Sequence, residues 1–503
     1  MEQKNKKKIS TQTIIKLLLA VVLLGLSAFL LKGDVWTFWT WWLLAGVMGF
    51  AAMPVTGRLF WRFEDKGWIF SKVLAIAATG FLTWFLTAIR LIPFNALTCA
   101  AVTILCAVIC FFLLRKESKE KTECFPVDRI SLIYWEELLF FLAFLMWTYL
   151  AGFRPAAYGT EKFMDYGFME AMMRSTTLPA RDLWYSEGHI NYYYGGQYFA
   201  VFLTKLSHTK VELTYNLMRT FVAGLAFAMP FSLVYQMMSD RMKGLQKSEK
   251  VIKGLPFAAG FTAGTAVSIA GNMHYVIYAQ IIPLIEKLTG KEVSSYWFPD
   301  ATRYIGYNPY REEDRTIHEF PCYSFVLGDL HAHVVNIMFV LLVIALLYVW
   351  LRGVRKKTVP VETSMKDGKF WKEQLLMPHL LVISALLGMF QWTNFWDFVI
   401  YYVVTLGTVL FANIIRFQGK IKKIMVVTFA QMAEIYLLAY LVILPFTLQF
   451  DTMVDGIGIA KYHSYFYQLL VLWGLPAVFT ITFVISILWE KLRGMEHKSL
   501  YRL

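Results

Sequence analysis

Apolar runs of about twenty residues recur along the whole chain, with short polar connectors between them. They fall near 14–31, 36–53, 73–89, 94–114, 133–151, 213–238, 255–272, 325–351, 376–391, 395–415, 425–449 and 465–489. A helix needs about 20 such residues to cross the hydrocarbon of a bilayer, and lipid leaves the backbone no partner except its own helix. The pattern therefore predicts an all-α, polytopic integral membrane protein with about twelve transmembrane helices. The first run follows Lys4, Lys6, Lys7 and Lys8 and has the flank of a signal peptide. It is long for one, and LSAFLLKGD offers no convincing small-x-small cleavage site, so it reads as a retained anchor.

Composition agrees, with 57% of residues hydrophobic and only 17% charged. Charge then orients the chain. With the N-terminus in the cytoplasm, alternate connectors, together with Glu434 in the inner half of its span, collect 34 of the 49 Lys and Arg and 17 of the 35 Asp and Glu, a balance of +17 inside against −3 outside. This is the asymmetry of the positive-inside rule. Topology and contact with anionic lipid account for the basic total, so nucleic acid is not implied. The expected location is the plasma membrane, multi-pass, with both termini cytoplasmic. Segments 152–212, 273–324, 392–394 and 450–464 would face outward. The inner connectors carry no Gly-rich phosphate cradle, which excludes an ATPase or kinase domain. Only Cys322 of the five cysteines would lie outside, and a single external cysteine cannot pair within the chain.

The outer loops near 152–212 and 273–324 are too long to be simple connectors and too aromatic to be disordered. Within them, 198–206 (YFAVFLTKL) and 281–288 are too short to span and read as helices lying in the interface. The chemistry gathers here. In EKFMD, Glu161 and Asp165 share a helical face, and two acids at that spacing favour a raised pKa or a bound cation; the rival reading is a solvated face neutralised by Lys162 and Arg174. In GDLHAH, which closes the run 319–333 (EFPCYSFVLGDLHAH), Asp329, His331 and His333 offer the oxygen and imidazole ligands that suit Zn²⁺ or Mn²⁺. Structural hydrogen bonding is the bland alternative for these histidines. Arg219 lies in the outer turns of a span, placed either to snorkel or to bind a phosphate. Trp396 and Asp397, in TNFWDF, pair a ring with an acid as sugar sites do. Glu434, with Gln431 one turn away, reads as a helix–helix hydrogen-bonding group.

INYYYGGQYF (with Tyr192, Tyr193 and Tyr194), EFPCYSFVLGDLHAH and TNFWDF together resemble the "YYY" membrane protein family of bacteria and archaea, a domain of unknown function, from about residue 161 to 397. The layout is also similar to the C-type glycosyltransferases, which use polyprenyl-phosphate sugars. That second resemblance implies a division into a four-helix segment, 1–132, and a glycosyltransferase-like core, 133–503. It also implies a sugar transferase acting at the outer face, with Asp165 as base beside Glu161 or Asp329. His331, His333 and Arg219 would hold a phosphate or a divalent metal (Mg, Mn or Zn), with Asp165, Asp329, His331 and His333 as candidate ligands. Tyr192, Tyr193, Tyr194, Glu319, Trp396 and Asp397 would contact substrate. The partners implied are the bilayer and a polyprenyl-phosphate-linked sugar. The acidic loop here follows about five spans instead of one, and no soluble domain follows the last. A transporter or flippase, or a non-catalytic scaffold, is the competing class.

Overall fold

The computed structural model describes residues 11–120, 124–245, 249–355, 365–452 and 458–492. Of the described residues 76% are helical, and none forms a strand. Nine helical stretches there are long and apolar enough to cross a membrane, or ten if a bent pair counts as one span. The difference from about twelve lies in three places. Helices α1 (Thr11–Leu31) and α2 (Val35–Leu59) run on as one apolar stretch through a single tight turn. Helix α9 (Glu249–Ser268), which opens on the charged sequence EKVIK, does not meet the test. The third place is the bent pair, α13 (Gly368–Gln374) and α14 (Pro378–Thr393), which meet at 56°.

Two compact units emerge. The first comprises Met1–Leu233 and Gly328–Phe450. It contains α1 and α2, α3 (Trp68–Ala88), α4 (Ala96–Glu120), α5 (Ile130–Ala151), α6 (Lys162–Arg174), α7 (Gly195–Ser207), and the first two-thirds of α8 (Val211–Gly244). It continues with α12 (Ala332–Arg355), α13, α14, α15 (Phe395–Phe417) and α16 (Ile421–Thr447). The four N-terminal helices thus fall in the same unit as α5 to α7. Where α13 breaks from α14, the Leu376 amide donates to Glu434 Oε1 (2.9 Å), and Gln431 Nε2 donates to the Gln374 carbonyl (2.9 Å). Gln431 also accepts from Asn413 on α15 (2.9 Å). The two polar side chains of α16 therefore tie a broken span together, which is costly to leave undone in lipid.

Helix α7 is covered on all sides. Every residue from Gly195 to Lys205 is buried in protein. YFAVFL is apolar on all sides, and a helix without a polar face finds its place inside a bundle. Its Tyr198 and Phe199 pack around Trp392 of α14, which stacks on Trp84 of α3 at 4.3 Å between ring centroids.

The second unit comprises Val234–Leu327 and Asp451–Leu503. It holds α9, α10 (Ile282–Leu288), α11 (Pro321–Leu327) and α17 (Phe466–Leu492). The long loop between α9 and α11 is ordered on α17. Tyr304 and Ile305 pack with Val471 and Leu472, and Tyr467 and Gln468 donate to the Asn308 carbonyl (2.8 and 2.7 Å). Leu284, Ile285 and Leu288 of α10 stand exposed. No cysteine of the chain forms a disulfide.

Candidate functional site

Three sequence segments meet in the first unit: the start of α6, the start of α7, and the turn that leads into α12. Asp165 sits in the first turn of α6, where the helix dipole favours an anion, yet it is only 1% exposed. Glu161, just ahead of the helix, keeps its side chain 58% exposed. The i, i+4 spacing thus gives one buried and one solvated acid. Gln197, fully buried on α7, donates through Nε2 to Asp165 Oδ1 (2.7 Å) and to the Leu330 carbonyl (3.1 Å). Asp165 Oδ2 is buried with no hydrogen-bond partner among the described residues.

The glycines of NYYYGG make this placement possible. A Cβ on Gly195 would stand 2.7 Å from Thr393 Cγ2 and 2.9 Å from the Trp392 ring. One on Gly196 would press on Val335 at 3.2 Å. Only a bare backbone lets the start of α7 approach both α14 and α12. The tyrosines divide. Tyr194 is 2% exposed and its hydroxyl accepts from Trp84 Nε1 (2.9 Å), so it belongs to the core and not to the site. Tyr192 packs against Phe168 of α6 (5.6 Å between centroids) and Tyr193 against Phe450 (5.3 Å). Burial, with Glu161 and Asp165 nearby, pushes the Tyr192 hydroxyl up to about 12.

The residues of GDLHAH are neither one strand nor one helix: 328–331 is irregular and α12 begins at Ala332. Gly328 has φ +93°, a backbone region that only glycine enters at little cost. A Cβ there would run into the Arg219 guanidinium and lie 3.2 Å from Lys162 Nζ, so two cations converge on this bare position. Arg219 is 2% exposed, and its Nη2 donates to Asn216 one turn away on α8 (2.8 Å). Asp329 is buried, and both its oxygens accept from Thr160 Oγ1 (2.7 and 2.6 Å). The Leu330 amide donates to the Tyr215 hydroxyl (3.3 Å).

His331 Nε2 stands 3.5 Å from Glu161 Oε2 and 3.6 Å from Asp329 Oδ2. The His331 and His333 rings are 5.6 Å apart. Asp165, Asp329, His331 and His333 do not come together as one ligand set among the described residues. Glu319 belongs to the second unit, where it accepts from Ser324 Oγ (2.9 Å). Asp397, in the first turn of α15, accepts through Oδ2 from Asn336 of α12 (2.6 Å) and from Asn394 (2.9 Å). Thr393 in turn donates to Asn336 (2.8 Å). This chain of bonds fastens the ends of α12, α14 and α15, one turn beyond His333, while Trp396 stands 57% exposed.

Electrostatics follow from burial. Taking the Asp165 carboxyl out of water pushes it up to about 8; Asp329 and Glu161 add to the effect and the Gln197 bond opposes it. Burial also lowers Lys162, with Asp329 holding it up and Arg219 and Arg154 pushing it further down. The result is a nearly neutral carboxyl poised to exchange a proton near physiological pH, linked through the charge of Asp329 to two cations gathered on one bare backbone position. Sequence reasoning missed three participants. Lys162 enters the sequence reading only as a neutralising charge in the rival solvated-face reading, Gln197 lies hidden in an apolar helix, and Gly328 carries no side chain to mark it. The one available signal was glycine directly before an acid at the mouth of a span.

The chain belongs to a family of uncharacterized membrane proteins (DUF2298), whose sequence model matches residues 78–503. No curated protein and no solved structure matches it.

Proposed function

We propose that the protein transfers a sugar, or a related group, from a polyprenyl-phosphate donor to an acceptor hydroxyl at the extracytoplasmic face of the plasma membrane. One observation carries the reading: two cations, Arg219 and Lys162, converge on Gly328, and the neighbouring Asp329 feels both of them and the buried carboxyl with a spare oxygen, Asp165. Group transfer from a lipid phosphate needs both parts. The acceptor oxygen attacks the anomeric carbon and passes its proton to Asp165. The bond from that carbon to the phosphate oxygen breaks, and the phosphate leaves with the electron pair, its charge met by Arg219 and Lys162. A base works best with a pKa near the working pH, and about 8 suits this role. Gln197 fixes which oxygen of Asp165 is left to face the acceptor. Asp329, His331 and Glu161 border the same space, the first held by Thr160. Here residues 133–503 carry the chemistry and 1–132 support it, with Trp84 anchoring Tyr194.

A transporter draws support from one observation, the broken span at α13 and α14, since discontinuous helices often line transport sites. The buried acid and paired cations of the first site favour chemistry over passage. Donor binding tests the reading. Purified protein in nanodiscs should retain a polyprenyl-phosphate hexose in native mass spectrometry, and Arg219→Gln should lose at least tenfold in affinity. Equal retention by both would remove the phosphate assignment, and flux of the intact lipid across proteoliposomes without turnover would favour transport.

A further inference from the structure

A cavity of about 650 Å³ lies in the first unit between α2, α3, α4 and α14, with Leu206 of α7 in its wall. Val47 and Ala51 of α2, Ala78 of α3, Ile104 of α4 and Ala385 of α14 are typical of its lining, in which no residue is charged. The two hydroxyls there, on Thr79 and Thr103, donate to carbonyls of their own helices, those of Ala75 (2.7 Å) and Cys99 (2.8 Å). Water needs polar partners to stay in such a space, and these side chains offer it none. Val47, Ala78 and Ile104 are nonetheless exposed, so the cavity is a groove open at the side, along helices long and apolar enough to span. At that depth a bilayer supplies hydrocarbon chains.

Apolar fit alone would not hold one lipid in preference to its neighbours, since lipid tails are as apolar as the groove. A cation can supply the preference. Lys205 of α7, one residue before Leu206, is only 8% exposed. Its Nζ donates to the Met173 carbonyl of α6 (2.8 Å) and lies over the Phe94 ring in the α3–α4 turn (4.7 Å to the centroid). No carboxylate pairs with it among the described residues. An ammonium has three N–H donors, the carbonyl takes one, and a buried cation without a counter-charge is costly. Arg90 adds a second, exposed positive charge in the same turn, whose sequence IRLIPFN holds no acid. We infer that the groove holds an acyl chain of an anionic phospholipid whose phosphate sits on Lys205, in the manner of basic pockets between membrane helices. This site is separate from the cations at Gly328, and Lys205 lies eight residues along α7 from Gln197, about 12 Å. The inference does not depend on the proposed transfer.

The test uses full-length protein in phosphatidylcholine nanodiscs that carry a small share of a photoreactive lipid. The lipid is phosphatidylglycerol with a diazirine in one acyl chain, or diacylglycerol with the same chains and no phosphate. After irradiation, labelled residues are mapped by peptide mass spectrometry. Label from phosphatidylglycerol should gather on 44–55, 74–81, 100–110 and 381–389. Diacylglycerol should give about tenfold less there, the worth of one charge-assisted hydrogen bond. Lys205→Gln should bring phosphatidylglycerol down to the diacylglycerol level. Ala78→Phe, which fills the groove, should clear these segments of label and leave it on the exposed residues of α17. Label spread evenly over the exposed helices, or equal labelling of the groove by the two lipids, would overturn the inference. So would loss of the phosphatidylglycerol label on adding inorganic phosphate, which would make the ligand the free anion. Should Ala78→Phe not fold, Ala385→Phe fills the same space from α14, and the comparison of the two lipids needs no variant.

Discussion

Replacing Asp165 by Asn separates the chemistry of this carboxyl from its place in the fold. The amide has the same shape and mimics the protonated acid. In the unfolded chain the group titrates near 3.8, and in the folded protein near 8, because burial penalises its charge. Its contribution to stability is therefore fully present below pH 4 and is lost as the pH rises through 8. A displacement of about four pH units at 1.36 kcal/mol each corresponds to about 6 kcal/mol, an upper figure for a group that relaxation and water can reach. Wild type and Asp165→Asn should thus melt alike at pH 4, and by pH 9 the variant should be the more stable by several kcal/mol. Catalysis runs the other way. At pH 7 roughly a tenth of a group with pKa 8 is ionised, so wild-type turnover should climb nearly tenfold per pH unit below 7 and about fivefold from 7 to 8. Asp165→Asn should lose about 10²–10⁴-fold, the usual worth of a general base. The paired readouts are differential scanning fluorimetry and turnover of a polyprenyl-phosphate sugar, each across pH 4–9. A variant less stable than wild type at pH 9 would refute the burial argument, and one that kept its turnover would refute the role of base.

Three further substitutions probe the surroundings. Gly328→Ala should cost about 1 kcal/mol for the positive φ alone and displace the Arg219 guanidinium, so donor KM should rise more than kcat falls; an unchanged KM would contradict the convergence of cations. Gln197→Leu removes the bond that restrains the Asp165 pKa, so the midpoint of the ascending limb of the rate profile should move above 8, and a shift toward acid would be inconsistent with it. Tyr194→Phe strands the buried Trp84 indole N–H, costing about 1–3 kcal/mol in denaturant or thermal unfolding, with donor KM unaltered at a temperature where the variant is folded.

The spans were legible because lipid imposes a demand that each run of twenty residues meets or fails alone. The site was not, since Thr160 and Asp329 are 169 residues apart in sequence yet the Thr160 hydroxyl sits against both oxygens of that carboxyl. Motif reading named Asp165, Asp329 and Arg219 as candidates, but it could not tell that Lys162 turns toward Gly328 when its neighbour Glu161 faces solvent. Nor could it divide the tyrosine triplet, because Tyr194 is drawn inward by Trp84, on a helix outside the motif. The surroundings of α7 were hidden in the same way. A short apolar helix fits an interface or a core equally well until its packing partners are known, and here those partners are Trp392, Phe339 and Trp84, contributed by three different helices.

Turnover is the most direct measurement. Purified protein in nanodiscs is given a labelled polyprenyl-phosphate hexose and a lysate-derived pool of envelope acceptors at pH 8, and label released from the lipid into acceptor is followed for wild type and Asp165→Asn. The account requires time-dependent transfer by wild type that is reduced at least a hundredfold in the variant, with free polyprenyl phosphate appearing in step. Absence of transfer by folded wild type across a range of donor sugars, or equal transfer by both proteins, would contradict it.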